Sequence, residues 1–296
     1  MDYIVNQMRR DINVDIINFL TRQSHKPLIL IPIILMVLSL LYIGVFGLNE
    51  GVDLKGGTLV TLEVDESTSQ AALTSDLESK LGISNIDVSI SGKTATVEIP
   101  DDVNQVTFED KMAGSYKIMS FKSVGALLTS AAMEQIIYAL AFAFIFMAVT
   151  VFFVFRDPVP SAAIILSAVC NLSIAVGGMS IFGIPISVAS VGALLMLIGY
   201  GVDTDILLTT RLLKRREGTL DERAEGACKT GLTLTITALI SMIVLFIVVK
   251  LFIPAASVLE EISAVLILGL VSDLLSTWLM NFGILKWHVE HRGGRH

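Results

Sequence analysis

The feature that most constrains this chain is a set of six apolar runs, each long enough to cross a bilayer. A crossing helix needs roughly 20 predominantly apolar residues. Such runs fall at about 27–47, 133–155, 160–182, 186–208, 231–253 and 261–285. They predict a polytopic α-helical membrane protein with six transmembrane helices. Composition agrees: 53% of the 296 residues are hydrophobic and 17% are charged, where a soluble domain carries about 25%. The formal net charge of −7 argues against a nucleic-acid partner, which needs a basic face. Cys170 lies in an apolar run and Cys228 in a basic stretch, so no structural disulfide joins them. The first run follows a polar segment, 1–26, and is too long for a signal-peptide core. It reads as an uncleaved anchor.

Basic residues set the expected orientation. Arg9, Arg10, Arg22 and Lys26 precede the first span, and Arg156 ends the second. Arg211, Lys214, Arg215, Arg216, Arg223 and Lys229 fill the loop 209–230, and Arg292 and Arg295 follow the sixth span. An even number of spans places all of these on one side, the cytoplasm of a plasma-membrane protein, together with both termini and the tail 288–296. Residues 1–24 show Ile4, Met8, Ile12, Ile16 and Phe19 near helical spacing. That spacing fits an amphipathic helix on the inner membrane surface; a partly ordered tail fits it as well.

The opposite, extracytoplasmic side then receives residues 48–132, which are acidic and contain no arginine. "GGTLVTLEV", 56–64, predicts a strand. "STSQAALTSDLESKLG", 67–82, predicts a helix capped by Ser67 or Thr68, with Ala71, Leu73, Leu77 and Leu81 as its apolar set. "IDVSISGKTATVEI", 86–99, predicts a hairpin turning at Ser91-Gly92-Lys93. The result is a small α+β domain of βαββ, half ferredoxin-like form, and "YKIMSFKSV", 116–124, can add a strand. Neither paired carboxylates nor a Ser/His set nor a metal-ligand cluster occurs there. The histidines lie at 25, 288, 291 and 296, and His288 and His291 read as solvated tail residues. "GVDLKGG", 51–57, joins the first span to this domain. Its glycines fit either a tight turn opening a strand or a hinge involving Asp53, Gly56 and Gly57.

Two carboxylates interrupt the fourth span, at Asp203 and Asp205. A charge in hydrocarbon costs several kcal/mol, so an intramembrane carboxylate is a functional hypothesis by default. Asp203 shares a helical face with Ala189, Gly192, Met196 and Gly199. Small residues let another helix approach, so Asp203 is expected to face protein and act as the primary ion relay. Asp205 points to another face and, nearer the cytoplasmic end, can pair with Arg211 or Lys229. Lys229, Thr230 and Thr233 open a polar stripe on the fifth span that continues through Thr237 and Ser241. That stripe is either part of the relay or simply bonded to its own backbone. Ser167 and Asn171 of the third span, and Gly269, Asp273 and Ser276 of the sixth, give further stripes. Asn171 and Asp273 are the additional intramembrane polar candidates, with interhelix bonding as the rival reading of Asp273. Turned inward, the stripes would line a hydrated path.

Four stretches together resemble the SecF branch of the SecD–SecF protein-export family, within the resistance-nodulation-division superfamily. "GVDLKGG" is similar to the family's Gly-x-Asp-x-x-Gly-Gly motif. "FKSVGALLTSAAMEQ" resembles the Val-Gly segment before the second span. "IGYGVDTDILLTTRLLK" is similar to the fourth-span motif, and "ACKTGLTLTITALISM" to the region opening the fifth. One span, a small outer domain and five more spans is the arrangement of that branch. Bacterial members read Val-Asn-Asp where this chain has Val202-Asp203-Thr204-Asp205, and arginine where it has Lys229; the pattern looks like the archaeal branch.

The resemblance implies a partner, SecD, a working position beside the SecY translocon, and use of the transmembrane ion gradient to draw secreted polypeptides outward. It implies neither enzyme nor cofactor nor metal, with membrane lipid as the remaining partner. One rival is a small-molecule efflux subunit of the same superfamily, whose outer domains are much larger. Another is an intramembrane aspartyl protease, whose Gly-x-Gly-Asp signature is broken here by Val202. A passive scaffold with structural aspartates is the third.

Overall fold

A computed structural model describes residues 23–65, 67–112, 114–213, 219–253 and 255–293. The amphipathic helix expected over 1–24 lies almost wholly outside the described residues, as do Lys214, Arg215 and Arg216. In chain order the elements are α1 (His25–Phe46), α2 (Val52–Lys55), β1 (Gly57–Glu63), α3 (Gln70–Leu81), β2 (Asp87–Ser91), β3 (Thr94–Ile99), α4 (Gln105–Met112) and β4 (Lys117–Val124). They continue as α5 (Ala126–Phe155), α6 (Pro158–Phe182), α7 (Val188–Leu213), α8 (Leu220–Phe252) and α9 (Ser257–Leu275). A π-helical segment, Ser276–Asn281, then leads into α10 (Phe282–Gly293).

Among the described residues six helices are long and apolar enough to cross a membrane: His25–Phe46, Ala131–Phe155, Pro158–Phe182, Val188–Leu213, Glu222–Phe252 and Ser257–His291. Local chemistry sets several of their ends. Asp157 caps α6, its carboxylate accepting from Val159 N at 3.2 Å, with Pro158 in the first turn where its missing N–H costs nothing. Thr219 and Glu222 form a capping box at the start of α8. The sixth span continues without a break through the π segment into α10. Lysine, histidine and tryptophan in that extension end the purely apolar run at 285 while the helix continues.

The sheet domain is a four-stranded antiparallel sheet of order β2-β3-β1-β4. The "YKIMSFKSV" segment supplies β4 at one edge. The helix expected over 67–82 is α3, with Ser69 in the cap position and no side-chain cap bond, in place of Ser67 or Thr68. Leu73, Leu77 and Leu81 fall on one face and are buried on the sheet with Val60, Leu62, Val88 and Val97. Ala71 is exposed. The short helix α4 closes the same core through Phe108 and Met112. Its eight residues gave no clear period in sequence, because only that i, i+4 pair is buried.

The junction between α1 and β1 is docked on the membrane bundle. Gly51 N donates to Ile186 O at 2.8 Å, and Ile186 N donates to Asn49 O at 2.7 Å. The buried Asp53 carboxylate lies 2.7 Å from Lys122 Nζ on β4 and accepts from Val188 N, the first residue of α7, at 3.4 Å. Gly56 and Gly57 have φ of +78° and +116°, a region other residues avoid. A Cβ at Gly57 would stand 2.5 Å from Ile99 O. In this arrangement "GVDLKGG" is the tight turn, and its Asp53 ties the sheet to the start of α7. We call this the sheet end of the bundle.

Candidate functional site

Two neighbouring helices carry the same short pattern. Gly201 precedes Asp205 by four residues on α7, and Gly269 precedes Asp273 by four on α9. Residues so spaced share a helical face. Each face turns toward the interior, and each carboxylate is 1% exposed. Gly201 is what lets the helices meet here: a Cβ on it would stand 2.9 Å from Asp273 Oδ1 and 3.1 Å from Asn171 Nδ2.

The side chains that donate hydrogen bonds to the pair are all neutral. Asp205 Oδ1 accepts from Ser167 Oγ at 3.2 Å and from Asn281 Nδ2 at 2.7 Å. Asp273 Oδ1 accepts from Asn171 Nδ2 at 3.3 Å and from Thr277 Oγ1 at 3.2 Å. Ser272 donates in turn to the Asn171 side-chain carbonyl. Ser167 and Asn171 come from α6, while Thr277 and Asn281 come from the π segment. π turns inside long helices are frequent at functional sites, and this one places both side chains toward the carboxylates. Asp273 Oδ2 and Asn281 Oδ1 are buried without a donor. The spare atoms of the group are thus acceptors, and the donors that meet it carry no charge. Among the described residues no group of three or more His, Cys, Asp or Glu converges as a metal site.

The sequence-predicted relay set is divided by this geometry. Asn171 and Asp273 lie in the pocket, as does Asp205. Asp203, expected as the inward primary carboxylate, is exposed on the outer surface of α7 beside Gly192, Gly199 and Met196, the last 58% exposed. Two residues along a helix is about 200°, so only one of the two aspartates could face inward; the small-residue stripe marked the outer face. Asp205 is bonded to Ser167 and Asn281, and neither Arg211 nor Lys229 pairs with it. Lys229 and Thr233 are exposed and Thr230 is half-buried. Thr230, Thr233, Thr237 and Ser241 each donate to the backbone carbonyl four residues earlier, at 3.1, 2.7, 2.7 and 2.9 Å. This is the backbone-bonded reading of that stripe. His288, read as a solvated tail residue, is buried at 7% exposure with Nε2 3.6 Å from Asp157 Oδ2.

Ser167, Gly201, Thr277 and Asn281 complete the pocket. Gly-x-x-x-Asp alone did not label its centre in the sequence, because Gly199 and Asp203 repeat the same spacing on the outer face of α7. Asn281 had no spacing signal either, because the π turn shifts the helical phase after Asp273.

Residues 104–291 match the family model of the protein export membrane protein SecD/SecF, C-terminal, and residues 42–68 match the SecD/SecF GG motif. The protein-export membrane protein SecF of Methanothermobacter thermautotrophicus is 55% identical over 91% of this chain and 94% of its own length. SecF of Methanocaldococcus jannaschii is 43% identical over 91% and 98%. Among solved structures, SecDF of Thermus thermophilus, a translocon-associated membrane protein, superposes with a TM-score of 0.71 at 20% identity. The match covers 92% of this chain and 38% of that one, and it speaks to the fold.

Proposed function

The chain belongs to the SecF branch of the SecD/SecF family of protein-export membrane proteins, and on that premise we propose that it couples movement of a small cation to export through Asp205 and Asp273. The observation that carries this reading is the buried, neutral-donor pocket holding both carboxylates with spare acceptor oxygens. Such a pair is stabilised by a proton or an alkali cation and destabilised without one. Its occupancy can therefore bias the packing of α6, α7, α9 and the π segment. One charge moved down 100 mV supplies about 2.3 kcal/mol, comparable to the gap between typical conformational states.

The same reading places the sheet domain outside and both termini in the cytoplasm, because the arginines cluster at the opposite ends of the spans. It takes SecD as the membrane partner and the SecY channel as the working neighbour, with secreted polypeptide in transit. The exposed face of Asp203, Gly192 and Gly199 supports a partner there: a carboxylate facing lipid is costly, and small residues favour close helix approach. The remaining exposed spans face lipid. The junction Asp53, Gly56 and Gly57 acts as the hinge only when its bonds to Lys122 and the start of α7 release.

The test is export into membrane vesicles with the ion gradient set or collapsed. Asp205→Asn and Asp273→Asn should each abolish the gradient-dependent part of export while the chain stays in the membrane. Undiminished gradient-dependent export in both variants would overturn the reading.

A further inference from the structure

On either side of the carboxylate group along the bundle, one large buried side chain is seated on a glycine of a neighbouring helix. Toward the sheet end, Leu197 of α7 is 1% exposed and lies over Gly269 of α9. A Cβ on Gly269 would stand 2.4 Å from Leu197 Cδ2. Ala193, Leu194, Val265 and Leu266 complete this apolar layer. Toward the other end, Trp278 of the π segment is 4% exposed and lies over Gly231 of α8. A Cβ on Gly231 would stand 2.4 Å from Trp278 Cζ2. Leu208, Leu212 and Phe282 back this second layer.

We infer that Leu197 on Gly269 and Trp278 on Gly231 are the two gates of the pocket, and that this conformation is the occluded one. The inference rests on the relay reading above. Three features support it. Each gate belongs to the elements that hold the carboxylates: Leu197 and Asp205 share α7, Gly269 and Asp273 share α9, and Trp278 sits between Thr277 and Asn281. A change of charge in the pocket therefore acts on both gates through short stretches of backbone. The indole N–H of Trp278 is buried without an acceptor, a cost that favours its departure. Finally, the π segment has an alternative: a return to α-helical bonding re-registers the side chains by one residue, about 100°. That rotation would carry Trp278 off Gly231 and Asn281 off Asp205 together.

The test uses the full chain reconstituted with its partner subunit in liposomes, with a pH dye inside for protons and labelled Na⁺ for sodium. Leu197→Ala and Trp278→Ala each open one gate and should leak little, because the other stays shut. The double variant should leak more than the two singles combined. An assembled double variant as tight as wild type overturns the gates. A leak that persists after adding Asp205→Asn and Asp273→Asn keeps the gates and overturns the relay reading instead. A lock gives a second measurement independent of leak. Leu197 Cγ stands 3.0 Å from the Gly269 Cβ position; a cysteine sulfur placed there is within the two-bond reach, through an S–S bond of about 2.0 Å, that joins it to the partner Cβ in a disulfide. In a chain freed of Cys170 and Cys228, oxidised Leu197→Cys/Gly269→Cys should lose gradient-driven export and regain it on reduction. Equal export by the cross-linked and reduced forms would overturn the sheet-end gate.

Discussion

Asn281 Nδ2 donates to Asp205 Oδ1 across 2.7 Å, joining the π segment to α7 through the interior of the bundle. The same oxygen accepts from Ser167 at 3.2 Å. A hydrogen bond to a charged group contributes about 1.5–3 kcal/mol. Asn281→Leu removes the shorter bond and leaves a buried carboxylate short of a donor. Its expected result is a shift in the gradient needed for half-maximal export, with the chain still present in the membrane. Ser167→Ala should shift it less. An unchanged gradient dependence in Asn281→Leu would remove this bond from the coupling.

Asp203 offers the opposite expectation. It lies on the outer face of α7, about 200° around the helix from Asp205. Asp203→Asn should leave the gradient dependence of export intact and weaken recovery of the membrane partner from mild detergent. Asp205→Asn should do the reverse, copurifying normally while export loses its response to the gradient. Copurification and vesicle export measured side by side separate the two, and loss of coupling with intact association in Asp203→Asn would show that the outer carboxylate is the relay.

The spans and the sheet strands were legible because burial and periodicity dominate them: about 20 apolar residues for a crossing helix, alternation for a strand. Legibility stopped at helical phase. Gly192, Gly199 and Asp203 form a stripe as regular as Gly201 and Asp205, and a sequence carries no label saying which stripe faces its own bundle. The Thr233–Ser241 stripe has the same ambiguity, since a threonine bonded to its own backbone needs no polar neighbour. Asn281 was further out of reach, because a π turn breaks the 3.6-residue count on which phase arguments stand. His288 was hidden by its place beyond the last apolar run, where the helix continues and buries it.

The α1–β1 junction yields a test that separates turn from hinge. Gly57→Val forces an unfavourable φ, costing about 1–3 kcal/mol, and drives a Cβ into Ile99 O. It should unfold the sheet domain, seen as loss of protease resistance over 57–124, and export should fall for that reason. Lys122→Met leaves the glycines untouched and removes the 2.7 Å ion pair to Asp53. If release of this contact is part of the cycle, export should change while the sheet domain keeps its protease resistance. Wild-type export in Lys122→Met would assign the junction a purely structural role.

The last expectation concerns pH and the sheet domain. Asp76 on α3 accepts from Lys80 Nζ at 2.8 Å and from the Tyr116 hydroxyl at 2.8 Å. The Lys80 bond chiefly holds the Asp76 carboxyl below its ordinary value, with Tyr116 adding to the effect. Burial first, then the hydrogen bond to Asp76 and the Asp76 charge, push the Tyr116 hydroxyl up. A carboxyl lowered on folding contributes stability above its unfolded value, about 3.9, and loses it as pH falls through the folded value. A phenol raised on folding contributes stability below its unfolded value, about 10, and loses it as pH rises through the folded value. The bond network should therefore be insensitive to pH from about 5 to 9 and fail on both sides. Hydrogen exchange of the α3 and β4 amides in the full chain, corrected for intrinsic rates, reads both limbs. Lys80→Met should move the acid limb to higher pH, because the carboxyl loses its main support. Tyr116→Phe should shrink the alkaline limb, leaving the part that the Lys117–Glu63 pair contributes on β4, and cost about 1 kcal/mol. An acid limb in Lys80→Met that coincides with wild type would show that the pairing does not stabilise the domain.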